Sequence, residues 1–223
     1  GADLIPSDRK VVVSPIATCL MYADYFEAIN KVAAQDDISI VANSDIFFDS
    51  QLGLFKHWSH PEKTVVALAR WDMTSPGTSV LFDRNDSQDV WIFRGPIKDV
   101  QGDFPVGVPR CDNRVLYELK QAGYEVINPA FSIRAYHLHS GQRQEYTGDN
   151  LEHFVDPPYA YLWPHNLWSL PRTLFYNLLH PKARVAWRFD RRKFWNSLPM
   201  RAVHKVWRVL TQQKNNFTED TPS

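Results

Sequence analysis

Short β-branched runs, each halted by a polar residue, set the first constraint on this 223-residue chain. Val11 to Val13, Ile38 to Ala42, Val65 to Ala69, Val90 to Phe93 and Tyr124 to Ile127 are such runs. Segments this short and this rich in Val and Ile suit strands buried in a sheet. Between them lie stretches with helical spacing. Tyr22, Tyr25, Phe26, Ile29 and Val32 recur along 22 to 34, and Arg114 to Ala122 reads as a helix closed by Gly123. This alternation predicts an α/β fold, a sheet flanked by helices. In such sheets ligands sit beyond the carboxyl ends of the strands. Those ends carry Asn43 and Asp45, Arg70 and Asp72, and Asn128.

Beyond residue 150 the texture changes. Six prolines between Pro157 and Pro199 cut the chain into short pieces, with Trp163, Trp168, Trp187, Trp195 and Trp207 among them. The expected organisation is an α/β core over 1 to 150, a basic helical extension over 151 to 214, and a flexible tail over 215 to 223. Net charge is zero, yet residues 180 to 214 hold ten Lys and Arg against one acid, Asp190. The remainder has 15 basic and 24 acidic residues, so an acidic body argues against nucleic acid as a partner. Over Arg201 to Gln213, Val203, Val206, Trp207 and Leu210 share one helical face. A basic amphipathic helix of that kind either packs on the body or lies on an anionic membrane surface. Two cysteines, Cys19 and Cys111, make neither a disulfide framework nor a zinc site, and a reducing cytoplasm is the expected compartment.

Four motifs carry polar chemistry. In Ile-Val-Ala-Asn-Ser-Asp-Ile-Phe-Phe-Asp, residues 40 to 49, Asn43 and Asp45 lie two apart. On an extended segment they share a face, and oxygen ligands so placed suit Mg²⁺ or Mn²⁺. The alternative is a strand-end turn capping the next element. In Asp86 to Phe93, Asp89 leads into a strand, either as a turn residue or as a contact to sugar or metal-bound water. In Gly107 to Arg114, Asp112 is either the N-cap of the following helix or a general base at the cleft mouth. A helix start would lower its pKa and weaken it as a base, which keeps Asp89 as a second candidate. Finally, His137 and His139 share a face of an extended segment and are candidate metal ligands. No His-Glu-x-x-His helix, Walker loop or Gly-x-Ser-x-Gly elbow is present, which sets aside zinc proteases, P-loop enzymes and common esterases.

In their order, these motifs resemble the GT-A nucleotide-diphospho-sugar glycosyltransferases. The resemblance rests on Asn43 to Asp49, Ser87 to Phe93, Gly107 to Asn113 and Asn128 to His139, and covers about residues 10 to 146. It implies a GT-A-like, Rossmann-like mixed sheet flanked by helices, with a C-terminal helical extension. It implies a nucleotide-sugar donor, a glycan or lipid-linked acceptor, and Mn²⁺ or Mg²⁺. Asn43-Ser44-Asp45 then takes the place of the family's Asp-x-Asp motif. Asp45 becomes a metal ligand, with His137 or His139 as a further one. Asn43, Asp45, Arg70 and Asn128 are the expected donor-binding residues, and Asp112 falls where inverting members keep their base. Asn43 departs from that pattern and weakens the ionic grip on a metal. The family's first βα unit, which binds the nucleotide base, has no counterpart ahead of Val11: either that unit is missing, and the strand at 11 to 13 and the helix at 22 to 34 correspond to the second βα unit, or the chain enters the sheet differently. A lipid-linked acceptor would place the chain at the inner membrane face. Two other readings compete: a catalytically degraded relative that binds carbohydrate or scaffolds a partner, and a nucleotidyltransferase on a related sheet. The latter usually carries a Gly-rich phosphate loop, which this sequence lacks.

Overall fold

The computed structural model describes residues 14–15, 18–56, 58, 61–75, 77–138, 154–197 and 200. The expected strand at 11 to 13, the helix at 201 to 213, the tail beyond 215 and His139 lie outside the described residues. Elements follow in the order α1 (Tyr22–Val32), β1 (Ile38–Ala42), β2 (Ile46–Phe48), a 3-10 helix (Ser50–Lys56), β3 (Thr64–Leu68), β4 (Arg70–Ser75), β5 (Thr78–Leu81), β6 (Val90–Arg94), α2 (Cys111–Gln121), β7 (Glu125–Ile127), β8 (Ala135–His137), α3 (Leu170–Leu179) and α4 (Arg191–Trp195). The α/β class expected from the sequence is the class observed.

The strands form two mixed four-stranded sheets, ordered β1-β6-β3-β7 and β2-β8-β4-β5. In the first, β6 runs antiparallel to both β1 and β3, and β7 runs parallel to β3. The carboxyl ends of β1, β3 and β7 therefore share one edge with the amino end of β6. The chain crosses from the first sheet to the second three times at that edge, the last time through residues 128 to 134, between β7 and β8. The first two crossings run through Asn43 to Asp45, between β1 and β2, and through Ala69, between β3 and β4.

Alternation along β3 and β6 builds the core. Val65, Ala67, Trp91 and Phe93 point to one face and join Tyr22, Phe26 and Ile29 of α1 and Val115, Leu116 and Leu119 of α2. Val66, Leu68, Val90 and Ile92 point to the other and join Leu54, Phe131, Ile133 and Val185. Every residue of β3 is buried, which explains its lack of polar alternation. The described part of the expected extension contributes to this core through Val155, Leu162, Leu167, Trp168, Tyr176 and Val185.

β1 departs from the buried strand expected. It lies at the edge of its sheet, its residues are half-exposed, and Ile40 is outward-facing. Local signals close the helices. Asp24 accepts from the Met21 amide at 2.8 Å, satisfying an orphan donor at the start of α1. Gly123, at φ 81°, ends α2 with paired bonds from its own amide to Lys120 and from Tyr124 to Leu119, a Schellman motif.

The chain divides into two compact units at Ala186. In the second, Asp190 caps α4 by accepting from the amides of Arg192 and Lys193. Phe194 packs against Phe189 and Trp195. Among the described residues no helix is long and apolar enough to cross a membrane.

Candidate active site

Strand register at the sheet crossing assembles the polar residues. β8 pairs with β2 and with β4, so His137 lies beside Ile46 on one side and Asp72 on the other. Asp45 precedes Ile46 directly, and its carbonyl accepts from the Leu138 amide at 2.9 Å. Two residues before Asp72 on the same strand face stands Arg70. Asp89, just ahead of β6, is anchored by its amide to the Leu68 carbonyl at 3.0 Å.

The side chains form one continuous chain of contacts. His137 Nε2 is 3.0 Å from Asp45 Oδ2, and His137 Nδ1 is 3.0 Å from Asp72 Oδ1. Arg70 Nε donates to Asp72 Oδ1 at 2.7 Å, and Arg70 Nη1 donates to Asp89 at 3.1 and 3.3 Å. The Arg70 guanidinium also lies 4.3 Å from the Phe82 ring centre. Burial works against the charge on Arg70, but Asp89 and Asp72 outweigh it and raise its pKa.

Asp112 lies on the first turn of α2, one residue inside it, so it is not the N-cap. That position belongs to Arg110, whose φ of 74° is left-handed, and whose side chain makes no cap bond. The helix begins three residues earlier than its sequence signals because Cys111, Asn113, Val115 and Leu116 are all buried and extend the packed face. Burial, with Asp89 nearby, pushes the Asp112 carboxyl up to about 7, against partial relief from the Cys111 thiol, the Gln88 amide and Arg70. The helix start was expected to lower this pKa. Desolvation outweighs it, as it does for a carboxyl taken from water without a directly paired cation. Asp89 is also raised, by burial first, while Arg70 and His137 pull it back.

All of these groups but Asp72 line one cleft of about 980 Å³, whose walls include Asn43, Asp45, Arg70, Asp89, Asp112 and His137. The volume is at the upper end of the range for small-molecule sites. Phe82, Arg84, Asp86 and Arg110 line it too. Arg84 Nε donates to Asp86 at 2.8 Å, and that bond holds the Asp86 carboxyl below its usual range. Arg110 Nη1 approaches the same carboxylate at 3.8 Å. One carboxylate thus faces two guanidinium groups. The charged pattern of Arg84 and Arg110 was not singled out in the sequence, where neither sits at a strand's carboxyl end.

Asn43 and Asp45 do reach the cleft, but in a turn rather than on one face of an extended strand: the Ile46 amide donates to the Asn43 carbonyl at 3.1 Å. Arg70 and Asp72 lie within β4 rather than at a strand stop, because the chain continues straight into the second sheet. Asn128 is fully buried and is held away from the cleft walls. Its side chain accepts from the Ala69 amide at 3.2 Å and donates to the Leu162 carbonyl at 3.4 Å. Its amide donates to His165 Nε2 at 3.1 Å. Asn128 locks the crossing between β3 and β4 instead of facing a ligand.

Asp45 and His137 could supply one carboxylate oxygen and one imidazole nitrogen to a divalent ion. Both nitrogens of His137 face carboxylate oxygens at 3.0 Å, Nδ1 toward Asp72 and Nε2 toward Asp45. The 3.0 Å separation of Asp45 Oδ2 and His137 Nε2 suits neighbouring ligands on an ion with bonds of about 2.1 Å. Among the described residues no group of three or more such side chains is clustered for a metal. Mg²⁺ usually takes one or two carboxylates, with phosphate and water in the remaining positions, and of these two side chains only Asp45 supplies a carboxylate. No protein family, no curated protein and no solved structure matches this chain.

Proposed function

We propose that this chain is a metal-assisted glycosyltransferase with a GT-A-like core, moving a sugar from a nucleotide-diphosphate donor to a glycan or lipid-linked acceptor. One observation carries the reading: a single cleft holds a pair suited to a divalent cation, Asp45 and His137, and an aspartate whose pKa is raised to about 7, Asp112. Mn²⁺ or Mg²⁺ held by that pair would neutralise a departing diphosphate. Asp72 fixes the ring of His137 through Nδ1, leaving Nε2 toward Asp45. Arg70 holds Asp72 and Asp89 at fixed separation and limits the repulsion among the acids.

Asp112 serves as the general base of an inverting transfer. The acceptor hydroxyl oxygen bonds to the anomeric carbon, the bond from that carbon to the diphosphate oxygen breaks, and the hydroxyl proton passes to Asp112. A base with a pKa near 7 matches neutral conditions better than an ordinary carboxylate. Association with the inner face of a membrane fits a lipid-linked acceptor.

A second reading is favoured by Asn43, which stands exposed and uncharged where the family motif has an acid. Under it, the chain is a degraded relative that binds carbohydrate or scaffolds a partner. Thermal shift against UDP-, GDP- and CMP-sugars, with and without Mn²⁺, separates the two. Stabilisation by a donor only when metal is present supports transfer. Silence toward every nucleotide, with binding on a glycan array, supports the binding module and overturns the proposal.

A further inference from the structure

α3 turns its polar side to the body and its apolar side to solvent. Its inward residues are Thr173, Tyr176 and Asn177. Thr173 is fully buried and donates to the Ser169 carbonyl at 3.0 Å. Asn177 exchanges two hydrogen bonds with Val185, at 2.9 and 2.8 Å. Tyr176 packs on Trp168, with ring centres 4.9 Å apart, and stacks on His180 at 4.2 Å. The outward residues are Leu170, Leu174, Phe175, Leu178 and Leu179, whose exposures run from 41% to 77%. At about 100° per residue these five occupy one half of the helix surface. A helix on the surface of a water-soluble body has the opposite arrangement. Contiguous exposed apolar surface of this kind marks an interaction face.

Charge points to its occupant. From Asp156 to Asp190 the chain has no acid between the two. Arg172, on α3 itself, and Lys182 and Arg184, just past its end, are exposed. Arg172 lies over the Trp168 ring at 4.9 Å, at the border of the apolar half. An apolar helix face bordered by cations, with acids excluded, is complementary to an anionic lipid surface. We propose that α3 is a monotopic anchor that lies in the plane of an anionic bilayer. Leu174, Phe175, Leu178 and Leu179 enter the acyl boundary while Arg172, Lys182 and Arg184 meet the anionic headgroups. The anchor thus lies upstream of most of the basic segment that composition alone singled out, and it stands independently of the glycosyl-transfer reading.

The test is flotation of the full chain with vesicles of phosphatidylcholine, with and without phosphatidylserine, at low and high salt. The wild type floats with the anionic vesicles and less so in high salt. Leu174→Glu combined with Leu178→Glu removes two inserted side chains and adds two like charges, and lowers partitioning roughly 100-fold or more. Both positions are exposed, so circular dichroism stays unchanged. Arg172→Glu combined with Lys182→Glu weakens binding to anionic vesicles selectively. As a second measurement that leaves the face apolar, Phe175→Trp gives fluorescence quenched by lipids brominated along their acyl chains. Failure of the wild type to float, equal flotation of the double Glu variant, or absence of quenching overturns the proposal. So does light scattering that shows a vesicle-free dimer converted to monomer by the Glu pair, which would make the face a self-association surface.

Discussion

Asp112→Asn separates two consequences of one half-buried carboxyl. The side chain keeps its shape and loses its ability to ionise. If Asp112 takes the acceptor proton, turnover falls roughly 10²- to 10⁴-fold. Stability moves the other way, and its sign follows from linkage. The folded pKa of Asp112 is raised to about 7 from an ordinary value of 3.8. Between those values the folded chain holds a proton that the unfolded chain has released. Stability from this group is therefore full below the unfolded pKa and falls as pH rises, levelling off above the folded pKa. Integrated from pH 5 to pH 8, the loss is at most about 2–3 kcal/mol. Asn carries no such dependence. The variant should gain on the wild type by roughly 4–12 °C in melting temperature across that interval, for a chain of this size. Calorimetric melts at pH 5, 6, 7 and 8 for both proteins read the difference, and initial rates over the same range read the base. The wild-type kcat/KM should rise through pH 7 as Asp112 deprotonates. A melting difference independent of pH would show that Asp112 is solvated and normally acidic. Near-normal turnover in Asp112→Asn, with loss in Asp89→Asn, would move the base to Asp89.

Other substitutions address the rest of the site and the core. Asp45→Ala should abolish Mn²⁺-dependent donor binding in calorimetry while the fold survives, because the residue is exposed in a turn; wild-type affinity would remove it from the ligand set. Asn43→Asp should tighten Mn²⁺ binding by adding a carboxylate on the same cleft wall, and an unchanged titration would count against a metal at that turn. Asp72→Asn releases the Nδ1 side of His137, and metal affinity should drop about 10- to 100-fold with the fold intact, as measured by Mn²⁺ titration. Ile92→Ala, at a fully buried position on β6, should cost about 2–5 kcal/mol in urea unfolding, and a cost below 1 kcal/mol would mean that the second core face repacks easily.

Local sequence determined a good part of this protein. The β-branched runs at 65 to 69 and 90 to 93 fell largely in β3 and β6, where side chains buried on both faces leave only apolar choices, and the run at 38 to 42 became a half-exposed edge strand. Helical spacing marked α1 and most of α2, and Gly123 closed α2 because its positive φ suits a residue without a side chain. The strand-end position of Asp45 and the approach of Asp89 to a strand were legible for the same reason: polar residues end buried runs. What depends on contacts between distant segments was not legible. Asp72 and His137 are separated by 65 residues, and only the register of β4 against β8 sets them side by side. Asn128 reads like other strand-end residues, yet close packing turned it inward and spent its amide on the backbone. The helix start, a local effect, predicts a lowered pKa for Asp112, whereas the surrounding protein and Asp89 raise it. The outward apolar face of α3 is likewise hidden in the sequence. Periodicity shows that a helix has two sides, and only the body it packs on decides which one meets water.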